Sequence, residues 1–253
     1  MRFIMKRSKT VLKWTAVTVF WLAVWQLGSM AVGQEILIPS PAAVVLSLKS
    51  LALTAAFWQA VLFSMLRILI GFLLGVAAGV LGAVASSRFR PLWALTYPLR
   101  QLVRAVPVAS FIILALFWFQ SDVLPAAISF LVVLPIVWDS VETGLKQLDK
   151  NLLEMAQVFR IGNLKTFIFI KTPSVFPAFL SACMTALGFA WKSGIAAEIL
   201  CRPAASLGGM LQSAKVYIET PQVFALTIVV AALSLLLERI IRRAVRGAIN
   251  DPS

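Results

Sequence analysis

Three ionisable residues interrupt otherwise apolar stretches of this chain: Arg67, Lys192 and Glu198. A charge at the centre of a bilayer costs at least ~2.5–3.5 kcal/mol on insertion scales, so such residues usually face a partner or an aqueous path. The chemistry open to Arg67 and Lys192 is attraction of an anion along that path. The plain alternative is a structural pair, for instance with Glu198, or snorkelling of Lys192 towards the outer surface. Lys192 and Glu198 stand six positions apart and are not ideal helix neighbours. Covalent chemistry has less to work with. The 253 residues contain no histidine, which removes the commonest general base and metal ligand and any histidine-based triad. No Cys/His/Asp cluster has metal-ligand spacing. There is no GxxxxGK[ST] phosphate loop, so these residues do not hold ATP in the P-loop manner. Cys183 and Cys201 would lie about 27 Å apart on one continuous helix, beyond disulfide reach, and read as buried apolar thiols.

The other stretch with functional character runs from Glu154 to Pro173, EMAQVFRIGNLKTFIFIKTP. It is polar, basic and helix-compatible, set between long apolar runs. Its chemistry is that of a docking surface. Glu154 at a helix start would interact favourably with the helix dipole. Ala156 is small enough to permit close approach. Val158, Phe159 and Ile161 offer apolar side chains to a partner's groove. Gly162 and Asn163 are a turn signal between two short helices. Arg160 offers an ion pair to a partner.

Composition says what surrounds these residues. Sixty per cent of the chain is hydrophobic and 13% charged, against roughly 45–50% and 25% in soluble domains. Lipid is the expected solvent. The net charge of +13 falls in clusters between apolar runs, which points to membrane orientation and away from nucleic acid. The expected fold is an all-α integral membrane protein, one transmembrane domain over residues 1–253. Six spans are expected, at about 14–32, 58–85, 105–119, 123–138, 177–200 and 223–237. Pro39 and Pro41 break the first connection, whose remainder suits a short surface helix. Gly71, Gly75 and Gly79 recur at four-residue spacing, with Gly82 nearby, and form a groove for a neighbouring helix. Of the 23 basic residues, 18 fall in the four segments that are cytoplasmic if the N-terminus is inside, and only Lys49, Arg202 and Lys215 fall outside. Lysine and arginine are retained on the cytoplasmic side. Both termini and the 154–173 segment are therefore expected in the cytoplasm.

The segment's register resembles the EAA coupling loop of bacterial ABC importer permeases: Glu-Ala-Ala, three residues, Gly, nine residues, Ile, one residue, Leu, Pro. Glu154, Ala156, Ile170 and Pro173 are in register, while Met155, Arg160 and Thr172 depart from it. The family glycine is replaced by Arg160, so the turn is expected to start later, near Gly162–Asn163. Further stretches extend the resemblance over nearly the whole chain: IPSP, the Arg67 span with its glycines, RAVPVAS and AWKSGIAAEIL. The chain is similar to permeases of the nitrate/sulfonate/taurine-type ABC importer family. That resemblance implies a type I importer transmembrane domain in the bacterial inner membrane, with no catalytic site of its own. It implies a second permease subunit, by default an identical copy, two cytoplasmic ATPases carrying ATP and Mg²⁺, and an extracytoplasmic solute-binding protein. Residues 154–173 would couple the ATPases to the spans. Two intramembrane cations favour an anionic solute. A secondary transporter would be expected to show inverted repeats and midplane acids; neither is present. An integral membrane enzyme would need the acid–base groups that are missing.

Overall fold

The computed structural model describes the backbone of residues 2–250 and the side chains of residues 15–243. The basic N-terminal cluster through Lys13, Trp14 and Arg246 lie outside the described side chains. Among the described residues the chain is entirely helical: α1 (Arg2–Val32), α2 (Pro41–Ala52), α3 (Ala55–Arg88), α4 (Arg90–Ala105), α5 (Val108–Ala115), α6 (Leu124–Lys146), α7 (Lys150–Val158), α8 (Asn163–Thr166), a π-helical turn (Phe167–Lys171), α9 (Thr172–Cys201), α10 (Leu207–Val216) and α11 (Thr220–Asn250).

Five helical stretches are long and apolar enough to cross a membrane: Thr15–Val32, Ala55–Arg88, Leu124–Lys146, Asn163–Cys201 and Thr220–Arg243. The remaining crossing, expected at about 105–119, is a bent pair of helices. The chain there bends by 103° between α4 and α5. Eight-residue α5 rises only about 12 Å, well short of a ~30 Å hydrocarbon core. The physical cause is Pro107, which removes an amide donor and restricts Val106 to extended backbone (ψ 133°). Counting α4–α5 as one broken crossing keeps the α6–α9 connection on the same side as both termini.

The core is built where α3, α6 and α9 meet. Ile68, Val133, Val137, Ala186, Ala190 and Trp191 are buried there. The glycine stripe on α3 sets the approach of α6. A Cβ on Gly71 would lie 2.1 Å from the Ala126 carbonyl oxygen, and one on Gly82 would lie 2.2 Å from the Trp138 ring. Gly75 and Gly79 face Val133 and the Leu134 carbonyl in the same way. Polar bonds fix the remaining faces. The Trp191 indole donates to the Val230 carbonyl at 3.0 Å and joins α9 to α11. Ser129 Oγ donates to the Ala190 carbonyl at 3.2 Å and joins α6 to α9.

The IPSP stretch starts a helix, α1 having already ended at Val32. Ser40 caps α2 by accepting from the Ala43 amide, and Pro41 takes the first turn, where a missing amide costs nothing. Trp25 and Ser29 of α1 donate to the carbonyls of Pro39 and Ile38, both at 3.0 Å. Along the described part of α1, other apolar side chains are exposed. Val19, Phe20, Trp21 and Leu27 are more than half accessible, as a lipid-facing helix requires.

Candidate functional site

The candidate docking elbow is formed by α7, the turn after it, α8 and the π-helical turn. Asp149 caps α7, accepting from the Asn151 amide at 2.8 Å, and the helix begins at Lys150. Glu154 is thus in the middle of α7, not at its start, and the capping carboxylate is Asp149. The exposed Glu154 has no ion-pair partner among the described residues.

The turn comes where the family pattern has glycine and not two residues later. Arg160 has φ 51°, the left-handed region that favours glycine. The Ile161 amide donates to the Ala156 carbonyl at 2.8 Å, and the Arg160 amide to the Gln157 carbonyl at 3.0 Å. Together these form a complete Schellman ending with Arg160 at the position normally given to glycine. Gly162, by contrast, is extended (φ −60°, ψ 150°) and serves as the N-cap of α8, a conformation open to any residue. The backbone has kept the turn and accepted the strain. Arg160→Gly is therefore expected to stabilise the elbow by about 1 kcal/mol, seen as roughly fivefold slower hydrogen exchange at the Ile161 amide. Faster exchange in the variant would contradict this account of the turn.

The elbow is apolar on its outside. Val158 is 78% exposed, Phe159 72%, Leu164 73% and Phe169 73%. Met155 is also exposed and Ile161 half-buried, whereas Ala156 is turned inward at 3% exposure. Leu164 and Phe169 extend the apolar face beyond the residues selected from sequence. They follow Phe159 at five and ten positions, across the turn, a spacing with no helical repeat to announce it. No break separates the elbow from the membrane. α8, the π-helical turn and α9 run on as one helical rod of 39 residues, Asn163–Cys201, with Pro173 in the first turn of α9. The elbow is thus continuous with a helix of the core.

The intramembrane charges are placed very differently from one another. Glu198 is fully buried and accepts from Ser64 Oγ at 2.7 Å and the Gly208 amide at 3.1 Å. Arg67 approaches it to 3.9 Å. The same guanidinium donates to Asp122 at 2.7 Å and to the carbonyls of Ala204 and Ala205 at 2.9 and 3.2 Å. Arg67 and Glu198 therefore tie α3, α9, the turn before α6 and the α9–α10 loop into one clamp. Lys192 is exposed, with no ion-pair partner among the described residues.

A cavity of about 730 Å³ opens between α4–α5, α6 and α9, and none of the three charged residues chosen from sequence lines it. Its polar lining comes from Arg104, Asp139, Ser140, Thr143, Ser181 and Thr185, among others. Beside it is a charge network that ties α4 to α6. Buried Arg100 pairs with both Asp139 and Glu142, Arg104 with Asp139 at 2.6 Å, and Lys146 with Glu142 at 2.5 Å. The Arg100 guanidinium also stacks 4.8 Å from the Trp138 ring. The sequence signal was the spacing of Asp139, Glu142 and Lys146 on one helix face, opposite Arg100 and Arg104 one turn apart.

Known proteins resemble this chain over most of its length. Residues 71–249 match the family described as binding-protein-dependent transport system inner membrane component. A putative aliphatic sulfonates transport permease, SsuC of Bacillus subtilis (strain 168), is 26% identical over 87% of this chain and 80% of its own. The taurine transport system permease TauC of Escherichia coli (strain K12) is 25% identical over 85% of this chain and 80% of its own. The bicarbonate transport system permease CmpB of Synechococcus elongatus is 27% identical over 73% and 66%. Among solved structures, the MetNI methionine ABC transporter in inward-facing conformations superposes with a TM-score of 0.57 at 15% identity, over 75% of this chain and 93% of that one. An amino acid ABC transporter superposes with a TM-score of 0.54 at 14% identity, over 87% and 95%. The fold is that of the type I importer transmembrane domains, and the helices make it a multi-pass protein of the bacterial inner membrane. With the family match running from the middle of α3 into α11, the chain belongs to the inner membrane components of binding-protein-dependent transport systems, as an ABC importer permease subunit.

Proposed function

We propose that this permease carries a small organic or inorganic anion of the sulfonate, taurine or bicarbonate class. Two copies of the chain line the pathway. An extracytoplasmic binding protein delivers the solute, and two cytoplasmic ATPases, which hold ATP and Mg²⁺, dock on the elbow. The observation that carries the ATPase assignment is the cluster of exposed apolar side chains, Val158, Phe159, Leu164 and Phe169, on a cytoplasmic elbow continuous with α9. Apolar side chains this exposed on the aqueous side of a membrane protein mark a partner's seat. The solute class is supported by the relatives' names and by the hydroxyl-lined cavity with arginine at its edge.

In this mechanism ATP closes the ATPase pair, and the elbows follow. Each elbow turns the rod that ends in α9, and the cavity between α4–α5, α6 and α9 opens alternately to the two sides. Lys192 shares a face of α9 with Thr185 and Phe189, at helix spacings of seven and three. In the dimer it extends the pathway outward from the cavity. Proteoliposomes holding the permease, its ATPase and its binding protein test the reading with labelled ethanesulfonate and bicarbonate against choline and glucose. The expected result is ATP-dependent and binding-protein-dependent uptake of at least one of the anions. Uptake confined to choline or glucose would refute the solute class, and uptake without the ATPase would refute the mechanism.

A further inference from the structure

We propose that Arg104 is the solute-contacting cation of the pathway, held by Asp139 and exchanged onto the passing anion. The inference rests on the anion reading above and adds the residue that reads the charge. Arg104 is the one basic side chain among the cavity's lining residues, and it is 52% exposed. Its ion pair uses a single guanidinium nitrogen, Nη1 on Asp139 Oδ2 at 2.6 Å. A guanidinium has five N–H donors in a planar fork suited to flat or tripodal oxyanions, so most of its donors remain for a ligand.

The surrounding charges make the exchange feasible. Asp139 also pairs with Arg100, which is buried at 4% exposure. When Arg104 turns to a solute, Asp139 keeps a charged partner and no carboxylate is stranded. Arg100, Arg104 and Lys146 face two acids, Asp139 and Glu142, so the network carries one excess positive charge. The member of that network in the cavity with the greatest freedom is Arg104. Opposite it, α9 presents the hydroxyls of Ser181 and Thr185. Arg67 is unsuited to this task, because it does not line the cavity and three of its five donors are taken by Asp122, Ala204 and Ala205.

The test reads the cavity's electrostatics without needing the solute. In the full transporter, Cys183 and Cys201 are replaced by alanine and Thr185 by cysteine. The new thiol is then treated with sulfonatoethyl methanethiosulfonate, an anion, or its trimethylammonium counterpart, a cation. Rates are divided by those on a small free thiol. Surface fields of several kT lead to an anion-over-cation preference of roughly tenfold. Arg104→Gln should bring the ratio close to one, Arg104→Lys should retain the preference, and Asp139→Asn should raise it. A ratio unchanged by Arg104→Gln overturns the proposal, as does a Thr185→Cys thiol that neither reagent reaches. The solute-class reading fails separately, by uptake of only a neutral or cationic solute, whatever the reagent ratio.

Discussion

Replacing Arg67 with leucine destabilises the protein by about 3–5 kcal/mol, the cost of removing one partner from a buried ion pair. Glu198 is fully buried, and its Oε1 has no hydrogen-bond donor; the Arg67 guanidinium 3.9 Å away is its counter-charge. The same change removes the donors to the Ala204 and Ala205 carbonyls, in a loop where Ala205 already has the left-handed φ of 46°. A loss of that size is comparable to the whole stability of an ordinary domain, ~5–15 kcal/mol. The variant should fail to accumulate in the membrane. Arg67→Leu combined with Glu198→Gln should recover much of the loss, because the uncompensated charge is gone. Membrane levels and thermal melting of the two variants in detergent provide the measurement. Normal levels and melting for Arg67→Leu alone would show that the clamp contributes little.

Phe159→Asp has a comparable effect through a different route. Phe159 is 72% exposed, so the fold itself changes little, within about 0.5 kcal/mol. In the proposed assembly it fills a groove of the ATPase, and aromatic anchors of that kind are worth at least about 2 kcal/mol, or roughly 30-fold in affinity. The permease should reach the membrane in normal amount, retain little ATPase on purification, and lose most uptake. The same substitution at Leu164 should act in the same direction. Normal ATPase retention in both variants would remove the elbow from the interface.

Local patterns made part of this architecture legible in the sequence. The Gly71–Gly75–Gly79 stripe declares a helix face because its period of four matches the helix, and α6 packs against it. The elbow was legible as Glu154–Pro173 because it is polar between apolar runs. Its internal turn was misplaced, since an arginine at the family's glycine position moved the expected turn to Gly162–Asn163. The backbone bonds from Arg160 and Ile161 return it to the family register. The break after Ala105 follows from Pro107, but the 103° angle and the packing of α5 on α6 and α9 have no counterpart in the local sequence. The Arg67 clamp had no local signature. Its partners Asp122, Glu198, Ala204 and Ala205 are 55 to 138 residues away along the chain. Arg100 looked like one more cytoplasmic charge, yet it is buried beneath Trp138 between two acids.

The link between elbow and motor is tested most directly by labelling a cysteine at Phe159, in a chain whose Cys183 and Cys201 are alanine. The account predicts that a membrane-impermeant maleimide reaches this thiol only from the cytoplasmic side, and that the assembled ATPase protects it. Labelling from the extracytoplasmic side, or undiminished labelling in the ATPase complex, would contradict it.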